Sequence, residues 1–231
     1  MKPAIVTDVE GTTSAIDFVK SVLFPYARRR MADFVRARAD DPAVQAVLDE
    51  VRRAAGADLS LEACLAQLDA WAAADAKVTP LKTLQGMIWA EGYAEGALEG
   101  HVYPDAAAVL RRWRAAGHPL YVYSSGSVQA QKLLFAHSSE GDLAPLFSGH
   151  FDTTVGGKKD PQSYRRIAER LEGAGAPWFL SDMPEELAAA QAAGWRVVQL
   201  RRPGEAQPPG PWPQAEDFYG VDAVLAAEGS R

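Results

Sequence analysis

The sequence has little of what stabilises secreted or membrane-spanning proteins. Cys64 is its only cysteine, so no disulfide can form within the chain, and the surrounding alanine- and leucine-rich segment is typical of a buried thiol. No uncharged apolar run approaches the roughly 20 residues of a transmembrane helix. The N-terminus enters an apolar strand pattern within a few residues and shows no signal-peptide pattern. We therefore expect a soluble, cytoplasmic protein.

Positive charge is also in deficit, and the histidines are few. The 24 Lys and Arg residues against 30 Asp and Glu residues give a formal net charge of −6, which argues against nucleic acid or an anionic membrane as a partner. The four histidines show no metal-ligand spacing. An acidic chain can still bind a phosphorylated small molecule, because local cations and a metal decide what a pocket accepts. With 231 residues, 48% of them hydrophobic, the chain can bury one large core, with or without an inserted domain.

The most informative segment is an apolar strand pattern that ends in two acids, Asp8 and Glu10, followed by Gly11 and two threonines. Alternate residues of a strand point to the same side, so both carboxylates can project at its carboxyl end, where open α/β sheets bind ligands. Paired carboxylates suit Mg²⁺, and a carboxylate can also attack phosphorus as a nucleophile. Taken alone, such a pair of acids is more often a solvated strand end. Whether it forms a functional site therefore depends on features elsewhere in the chain.

The chain changes its pattern twice. Residues 17–100 show helical spacing of apolar residues with no convincing strand, whereas predicted strands and helices alternate beyond residue 101. Alternation of this kind predicts an α/β fold with a doubly wound, mostly parallel sheet. Its core is expected to comprise residues 1–16 and 101–231, with an all-helical domain inserted after the first strand. Within this core the pattern also predicts a short strand at 151–155 and a surface loop at 202–213.

Three further predicted strands end in polar groups. Ser124 and Ser125 follow one strand and precede a helix, where hydroxyls and free backbone N–H groups can bind an anion. Lys158 and Lys159 follow two glycines after another strand, and Asp182 follows a third. Each feature alone has an ordinary explanation, such as a serine N-cap or a solvated lysine pair. Together they supply what phosphoryl transfer needs: a nucleophile, a metal site and groups that bind phosphoryl oxygens.

This ordered set of residues resembles the haloacid dehalogenase superfamily. The helical insertion is similar to the cap domain of that superfamily. Most phosphatases of that superfamily carry aspartate where this chain has Glu10. Several stretches instead resemble the enolase-phosphatase (acireductone synthase) family of methionine salvage, and the similarity runs over nearly the whole chain. These stretches are 8–13, 23–26, 84–86 with Trp89, 123–134 and 149–153.

The resemblance implies a catalytic and metal-binding set. It implies Asp8 as the nucleophile that forms an aspartyl-phosphate and Glu10 as the general acid/base. One Mg²⁺ per subunit would be held by Asp8, Glu10 and Asp182. The family's reaction converts 2,3-diketo-5-methylthiopentyl-1-phosphate to 1,2-dihydroxy-3-keto-5-methylthiopentene plus phosphate. The resemblance also suggests a monomer.

The substrate would be bound by Ser124, Ser125 and Lys158. The family has one lysine after the glycines and this chain has two, so Lys159 stays an alternative. Glu186 is a weaker candidate for a supporting role.

Two rival functions stay open at this point. The nearest is a Mg²⁺-dependent phosphatase of the haloacid dehalogenase type that acts on another small phosphate ester and does not enolise it. The other is a catalytically silent binding module, which would bind Mg²⁺ without turnover.

Overall fold

A computed structural model describes residues 2–204 and 207–229 of the chain. The chain divides into two compact units. One comprises Met1–Ile16 and Glu99–Arg231, and the other comprises Asp17–Leu98. In the two described ranges, no helix is long and apolar enough to span a membrane.

The first unit is built on a six-stranded sheet in the order β3-β2-β1-β4-β5-β6, in which every neighbouring pair is parallel. The strands are β1 (Ile5–Thr7), β2 (Leu120–Tyr123), β3 (Gly149–Phe151), β4 (Trp178–Ser181), β5 (Arg196–Leu200) and β6 (Gln214–Ala215). The strand order reverses at β1, which lies between β2 and β4. Ligands bind at such a switch point, outside the carboxyl ends of the strands. The doubly wound parallel sheet predicted from the sequence is confirmed.

Continuous apolar runs explain the central strands. Every residue of β1, β2 and β4 is buried, as expected when helices cover both faces of a parallel sheet. One side of the sheet carries an aromatic cluster in which Tyr164 packs edge-on against Tyr123, Phe179 and Trp195, with ring centroids 5.5, 5.1 and 5.5 Å apart. This cluster lies beneath the carboxyl ends of β2 and β4.

The second unit is helical. After a single turn, α1 (Ile16–Phe18), and a π-helical turn at Val19–Leu23 come α2 (Phe24–Ala37), α3 (Pro42–Ala55), α4 (Leu61–Ala73) and α5 (Thr79–Ala94). The side chains of Asp41 and Ser60 cap α3 and α4, and Gly56 ends α3 in the left-handed region at φ 66°. The Trp89 indole donates to the Leu23 carbonyl at the end of the π turn, 2.9 Å away.

The α-helices of the first unit lie between or after its strands, with the first of them directly before β2. They are α6 (Pro104–Ala115), α7 (Val128–Ala136), α8 (Pro161–Ala168), α9 (Pro184–Ala192) and α10 (Phe218–Gly229). Proline occupies the first turn of α6, α8 and α9, where its missing N–H leaves no helical hydrogen bond unmade.

Two local predictions were wrong. The strand predicted at 151–155 is Gly149–Phe151, because the Asp152 carboxylate accepts from the backbone N–H of Thr154 (2.9 Å) and Val128 (3.2 Å) and turns the chain. The segment 202–213 is not purely a surface loop, since Arg202 is buried. Residues 205 and 206 of that predicted loop lie outside the described ranges. The strand β6 that follows it was not predicted, because two residues carry no alternation pattern.

His150 is a half-buried histidine on β3. Its Nδ1 lies 3.2 Å from Oε1 of Gln131, whose amide nitrogen donates to the carbonyls of Phe151 (2.8 Å) and Gly126 (2.9 Å). Burial, with a smaller contribution from the charge of Lys132, lowers the pKa of His150 to about 4. The folded protein therefore holds this ring neutral over a range in which the unfolded chain protonates it.

We predict that His150 makes the protein less stable as the pH falls from about 6.5 to about 4. In that window the unfolded state binds a proton that the folded state does not, so the free energy of unfolding falls by at most about 1.4 kcal/mol per pH unit for this one group. Urea denaturation at several pH values should give a shallower pH dependence for His150→Asn than for the unsubstituted protein. The control is His137→Asn, at an exposed histidine. An unchanged slope in His150→Asn would contradict the prediction.

Candidate active site

Asp8 is the first residue beyond β1 and lies at the switch point of the sheet. Its backbone N–H donates to the Leu180 carbonyl of β4 (2.9 Å), and its side chain is buried. The chain then closes into a tight loop, because the Val9 carbonyl accepts from the N–H groups of Thr12 (3.2 Å), Thr13 (2.9 Å) and Ser14 (2.9 Å). This geometry fixes the Asp8 carboxylate relative to the neighbouring strand.

Gly11 brings this loop against Asp182 of the β4 end. It adopts φ 72°, in the left-handed region that favours glycine. A Cβ at this position would lie 2.7 Å from Oδ2 of Asp182. The glycine therefore permits both the turn and the close approach of the two strand ends.

Lys158 provides the cation of the site. Its Nζ lies 2.6 Å from Oδ1 of Asp8 and 2.6 Å from Oε2 of Glu186, and its side chain is only 8% exposed. Burial favours a lower pKa for Lys158, but the two carboxylates outweigh it, so that its pKa is raised above the ordinary value. The Tyr164 hydroxyl donates to the Lys158 carbonyl at 2.7 Å and fixes the backbone. Lys159, in contrast, is exposed, with its Nζ 3.5 Å from Oε1 of Glu185.

Asp182 is a buried acid directly after β4. Its Oδ1 has no hydrogen-bond partner within the described part of the chain. Burial and, to a smaller extent, the charges of Asp8 and Glu186 raise the pKa of Asp182 to about 7. Glu186, in the first turn of α9, accepts from the Ser181 hydroxyl (2.9 Å), and burial followed by the charge of Asp8 raises its pKa as well. Sequence reasoning gave Glu186 little weight, and helical spacing could not link it to Asp182, which precedes α9 (Pro184–Ala192).

The charges of this cluster do not balance. Three buried carboxylates, on Asp8, Asp182 and Glu186, lie in the same cluster as the ammonium of Lys158, which forms ion pairs with Asp8 and Glu186. An unpartnered oxygen on a buried acid calls for an explanation, and a bound cation is one. Among residues 2–204 and 207–229, no three Asp, Glu, His or Cys side chains form a ready-made metal cage. A hard divalent cation does not need one, since it is commonly held by one or two carboxylates, waters and substrate phosphate. The residues present therefore fit a divalent metal.

The serine loop follows β2 beside β1. Ser124 is buried, and its hydroxyl oxygen accepts from the Gly126 N–H at 3.0 Å, whereas Ser125 is half-buried. The N-cap of α7 is Ser127, which accepts from the Ala130 N–H at 3.2 Å. Capping this helix therefore does not require Ser124.

Glu10 and Thr12 complete the β1 loop. Glu10 is half-buried, and its backbone pairs with that of Ser14. Thr12 is buried, and its hydroxyl has no hydrogen-bond partner within the described ranges. The structure thus brings Asp8, Lys158 and Asp182 into one charged cluster. It places Glu10, Ser124 and Ser125 on loops at the carboxyl ends of β1 and β2.

Comparison with known proteins gives a consistent picture. The family model of haloacid dehalogenase-like hydrolases matches residues 2–194. Enolase-phosphatase E1 of Thioalkalivibrio sulfidiphilus is 51% identical over 222 residues, which cover 96% of this chain and 99% of the relative. Enolase-phosphatase E1 of Pseudomonas aeruginosa strain UCBPP-PA14 is 57% identical over 203 residues, which cover 87% and 90%.

Solved structures agree with this. The UTR4 protein of Saccharomyces cerevisiae matches with a TM-score of 0.82 and 33% identity, covering 94% of this chain and 99% of that one. The L-2-haloacid dehalogenase of Xanthobacter autotrophicus with chloropropionic acid covalently bound matches with a TM-score of 0.55 and 17% identity, covering 98% and 99%. At that identity the second likeness shows the fold alone.

We predict opposite outcomes for the two adjacent lysines. Lys158→Met should lower kcat/KM for a phosphate ester by about 100- to 1,000-fold, the usual cost of removing one group that stabilises transition-state charge. Lys159→Met should stay within about 3-fold of the unsubstituted protein, since exposed ion pairs contribute little. Steady-state phosphate release measures both. Equal losses in the two variants, or a larger loss in Lys159→Met, would contradict the geometry.

We also predict that Asp182→Asn stabilises the metal-free protein at pH 8. The pKa of Asp182 is about 7 in the folded state against an ordinary value of 3.8, so its contribution to stability is complete below pH 3.8 and is lost as the pH rises through 7. Removing the charge should raise the free energy of unfolding at pH 8 by about 1–3 kcal/mol. Melting curves with and without MgCl2 or MnCl2 provide the second readout, because the variant should lose the stabilisation that a bound metal gives. A less stable metal-free variant would contradict this.

Proposed function

Since the chain belongs to the enolase-phosphatase E1 family of haloacid dehalogenase-like hydrolases, we propose that it is the acireductone synthase of methionine salvage. It converts 2,3-diketo-5-methylthiopentyl-1-phosphate to 1,2-dihydroxy-3-keto-5-methylthiopentene and phosphate. The substrate is enolised first and then dephosphorylated in the same site. The observation that carries this proposal is the contact of 2.6 Å between the buried Asp8 carboxylate and the buried Lys158 ammonium at the switch point.

Asp8 is the nucleophile of the second step. One of its carboxylate oxygens attacks phosphorus and forms an aspartyl-phosphate, while the bond between phosphorus and the enol oxygen breaks. Lys158 neutralises charge on the phosphoryl oxygens, and Ser124 and Ser125 donate hydrogen bonds to them. Water then hydrolyses the aspartyl-phosphate and restores the Asp8 carboxylate.

Glu10 is the general acid and base. It protonates the departing enol oxygen and later takes a proton from the hydrolytic water. We assign the removal of the C1 proton in the enolisation step to the same residue. Its side chain is one methylene longer than the aspartate found at this position in most superfamily phosphatases, and so it reaches further from the β1 loop.

The divalent metal implied by the family is Mg²⁺ in this proposal, with Asp8, Glu10 and Asp182 as its protein ligands. Once bound, it supplies Lewis-acid polarisation of a substrate carbonyl and neutralises phosphoryl charge. The unpartnered Oδ1 of Asp182 and the excess of buried carboxylates support this assignment.

The expected partner is the small phosphorylated substrate, with neither nucleic acid nor a membrane. We propose that the protein acts as a monomer in the cytoplasm. Its formal charge of −6 supports the first part of this proposal.

The proposed reaction predicts two signals in sequence. Anaerobic incubation of the protein with the diketo phosphate and MgCl2 should give enediol ultraviolet absorbance first and free phosphate second. Asp8→Asn should keep the first signal and lose phosphate release by at least about 1,000-fold, because no nucleophile is left to attack phosphorus. Phosphate released from other esters without any enediol signal would favour the alternative, a Mg²⁺-dependent phosphatase that acts on another small ester. Substrate binding without turnover would favour a silent module.

Glu10→Gln serves as the second arm of this experiment. The amide cannot accept the C1 proton, so exchange of that proton with D₂O should be lost along with phosphate release. Native-rate exchange in Glu10→Gln would refute the assignment of the base and leave the role of Asp8 intact.

A further inference from the structure

Arg202 is a buried cation outside the catalytic cluster. Only 4% of it is exposed, although it begins a segment rich in proline and glycine. Its Nε and Nη2 both donate to the Thr12 carbonyl oxygen, at 3.0 and 2.9 Å. Its Nη1 donates to Oδ2 of Asp105 at 2.8 Å, and its guanidinium carbon lies 3.9 Å from the ring centroid of Tyr103. The guanidinium is thus held on three sides and presents two donors to one backbone oxygen.

The Thr12 carbonyl belongs to the loop that carries the acids of the site. The next residue, Thr13, donates from its backbone N–H to the Val9 carbonyl (2.9 Å) and from its hydroxyl to the Asp8 carbonyl (3.1 Å). A rotation of the peptide between Thr12 and Thr13 would therefore displace Thr13, whose hydroxyl is the hydrogen-bond partner of the Asp8 carbonyl. Two hydrogen-bonded steps join Arg202 to the residue that attacks phosphorus.

Arginine suits this position for physical reasons. Its guanidinium stays charged at every relevant pH and presents several N–H donors in one plane. A lysine could keep an ion pair with Asp105, but its single nitrogen cannot reproduce the planar fork. Asp105 is itself held in place, because its Oδ2 also accepts from the Phe218 N–H at the start of α10, 2.8 Å away.

We propose that Arg202 is a positioning residue that fixes the catalytic loop through the Thr12 carbonyl. Its effect falls on the alignment of Asp8 and Glu10, since Ser124 and Lys158 stand on other loops. Loss of Arg202 should therefore lower kcat and leave KM nearly unchanged. The inference rests on the proposed function for the reaction that is affected. The identity of the positioned loop follows from the hydrogen bonds and does not depend on that function.

Three variants separate positioning from a loss of stability. Arg202→Lys keeps the charge and removes the fork. Arg201→Lys is the same substitution at the preceding residue, whose side chain contacts Gln207 and Gln214 instead. Val109→Ala removes packing from a fully buried position of α6 and serves as the control for lowered stability.

The assays use the full chain with saturating MgCl2, well below the melting temperature of each variant. The two substrates are the diketo phosphate and p-nitrophenyl phosphate, which needs no enolisation. Arg202→Lys should lower kcat on both by about 100-fold, with KM within about 3-fold, because a misplacement of about 1 Å can cost that much. Arg201→Lys and Val109→Ala should keep kcat within about 3-fold.

Several results would overturn the inference. One is a kcat for Arg202→Lys within 3-fold of that for Arg201→Lys, and another is an equal loss in Val109→Ala at the same melting temperature. Should Arg202→Lys not fold, the double variant Arg202→Gln with Asp105→Asn removes both members of the ion pair and is held to the same criteria. An unsubstituted protein that hydrolyses only p-nitrophenyl phosphate would refute the proposed function, and the same pattern of variants on that ester would still support Arg202.

Discussion

The rest of the site depends on one buried contact, the ammonium of Lys158 between the carboxylates of Asp8 and Glu186. Charges withdrawn from water are costly unless geometry and further hydrogen bonds compensate them, so the surrounding fold has to hold the three groups closely. It does so with further hydrogen bonds. The Tyr164 hydroxyl fixes the Lys158 backbone, the Ser181 hydroxyl supports Glu186, and the Leu180 carbonyl accepts from Asp8. The aromatic cluster beneath the strand ends makes the surroundings apolar, which strengthens each of these interactions.

Much of this arrangement could be predicted from the sequence, because parallel strands end at the same edge of the sheet. Once the alternation of strands and helices is seen, Asp8, Ser124 and Asp182 are expected to lie near each other. The choice between Lys158 and Lys159 could not be made in this way, since both follow the same two glycines. It depends on tertiary contacts: the Tyr164 hydroxyl binds the carbonyl of the buried Lys158, whereas Lys159 is exposed.

Arg202 shows a different limit of sequence reasoning. Its main acceptor is the backbone carbonyl of Thr12, 190 positions away, and a backbone carbonyl leaves no trace in a pattern of side chains. The proline and glycine content around Arg202 is typical of an exposed loop. The prediction of a surface loop followed that composition and gave Arg202 no role. Likewise, Asp152 was included in a strand that its own carboxylate terminates. Both errors concern polar side chains that bind backbone groups, which hydrophobic periodicity does not detect.

The position of β1 in the chain has a consequence for biosynthesis. β1 is made before both of the strands that flank it, since it pairs with Leu120 of β2 on one side and Trp178 of β4 on the other. At about 5–20 residues per second, roughly 9–35 s separate the synthesis of β1 and β4. During this time the apolar first strand lacks a partner for one or both of its edges, and such strands are prone to aggregate. The helical unit 17–98 is a compact unit of its own and is made between β1 and β2. Asp8 is therefore made long before β4, whose Leu180 carbonyl accepts its backbone N–H, so a nascent chain stalled before β4 has no complete site.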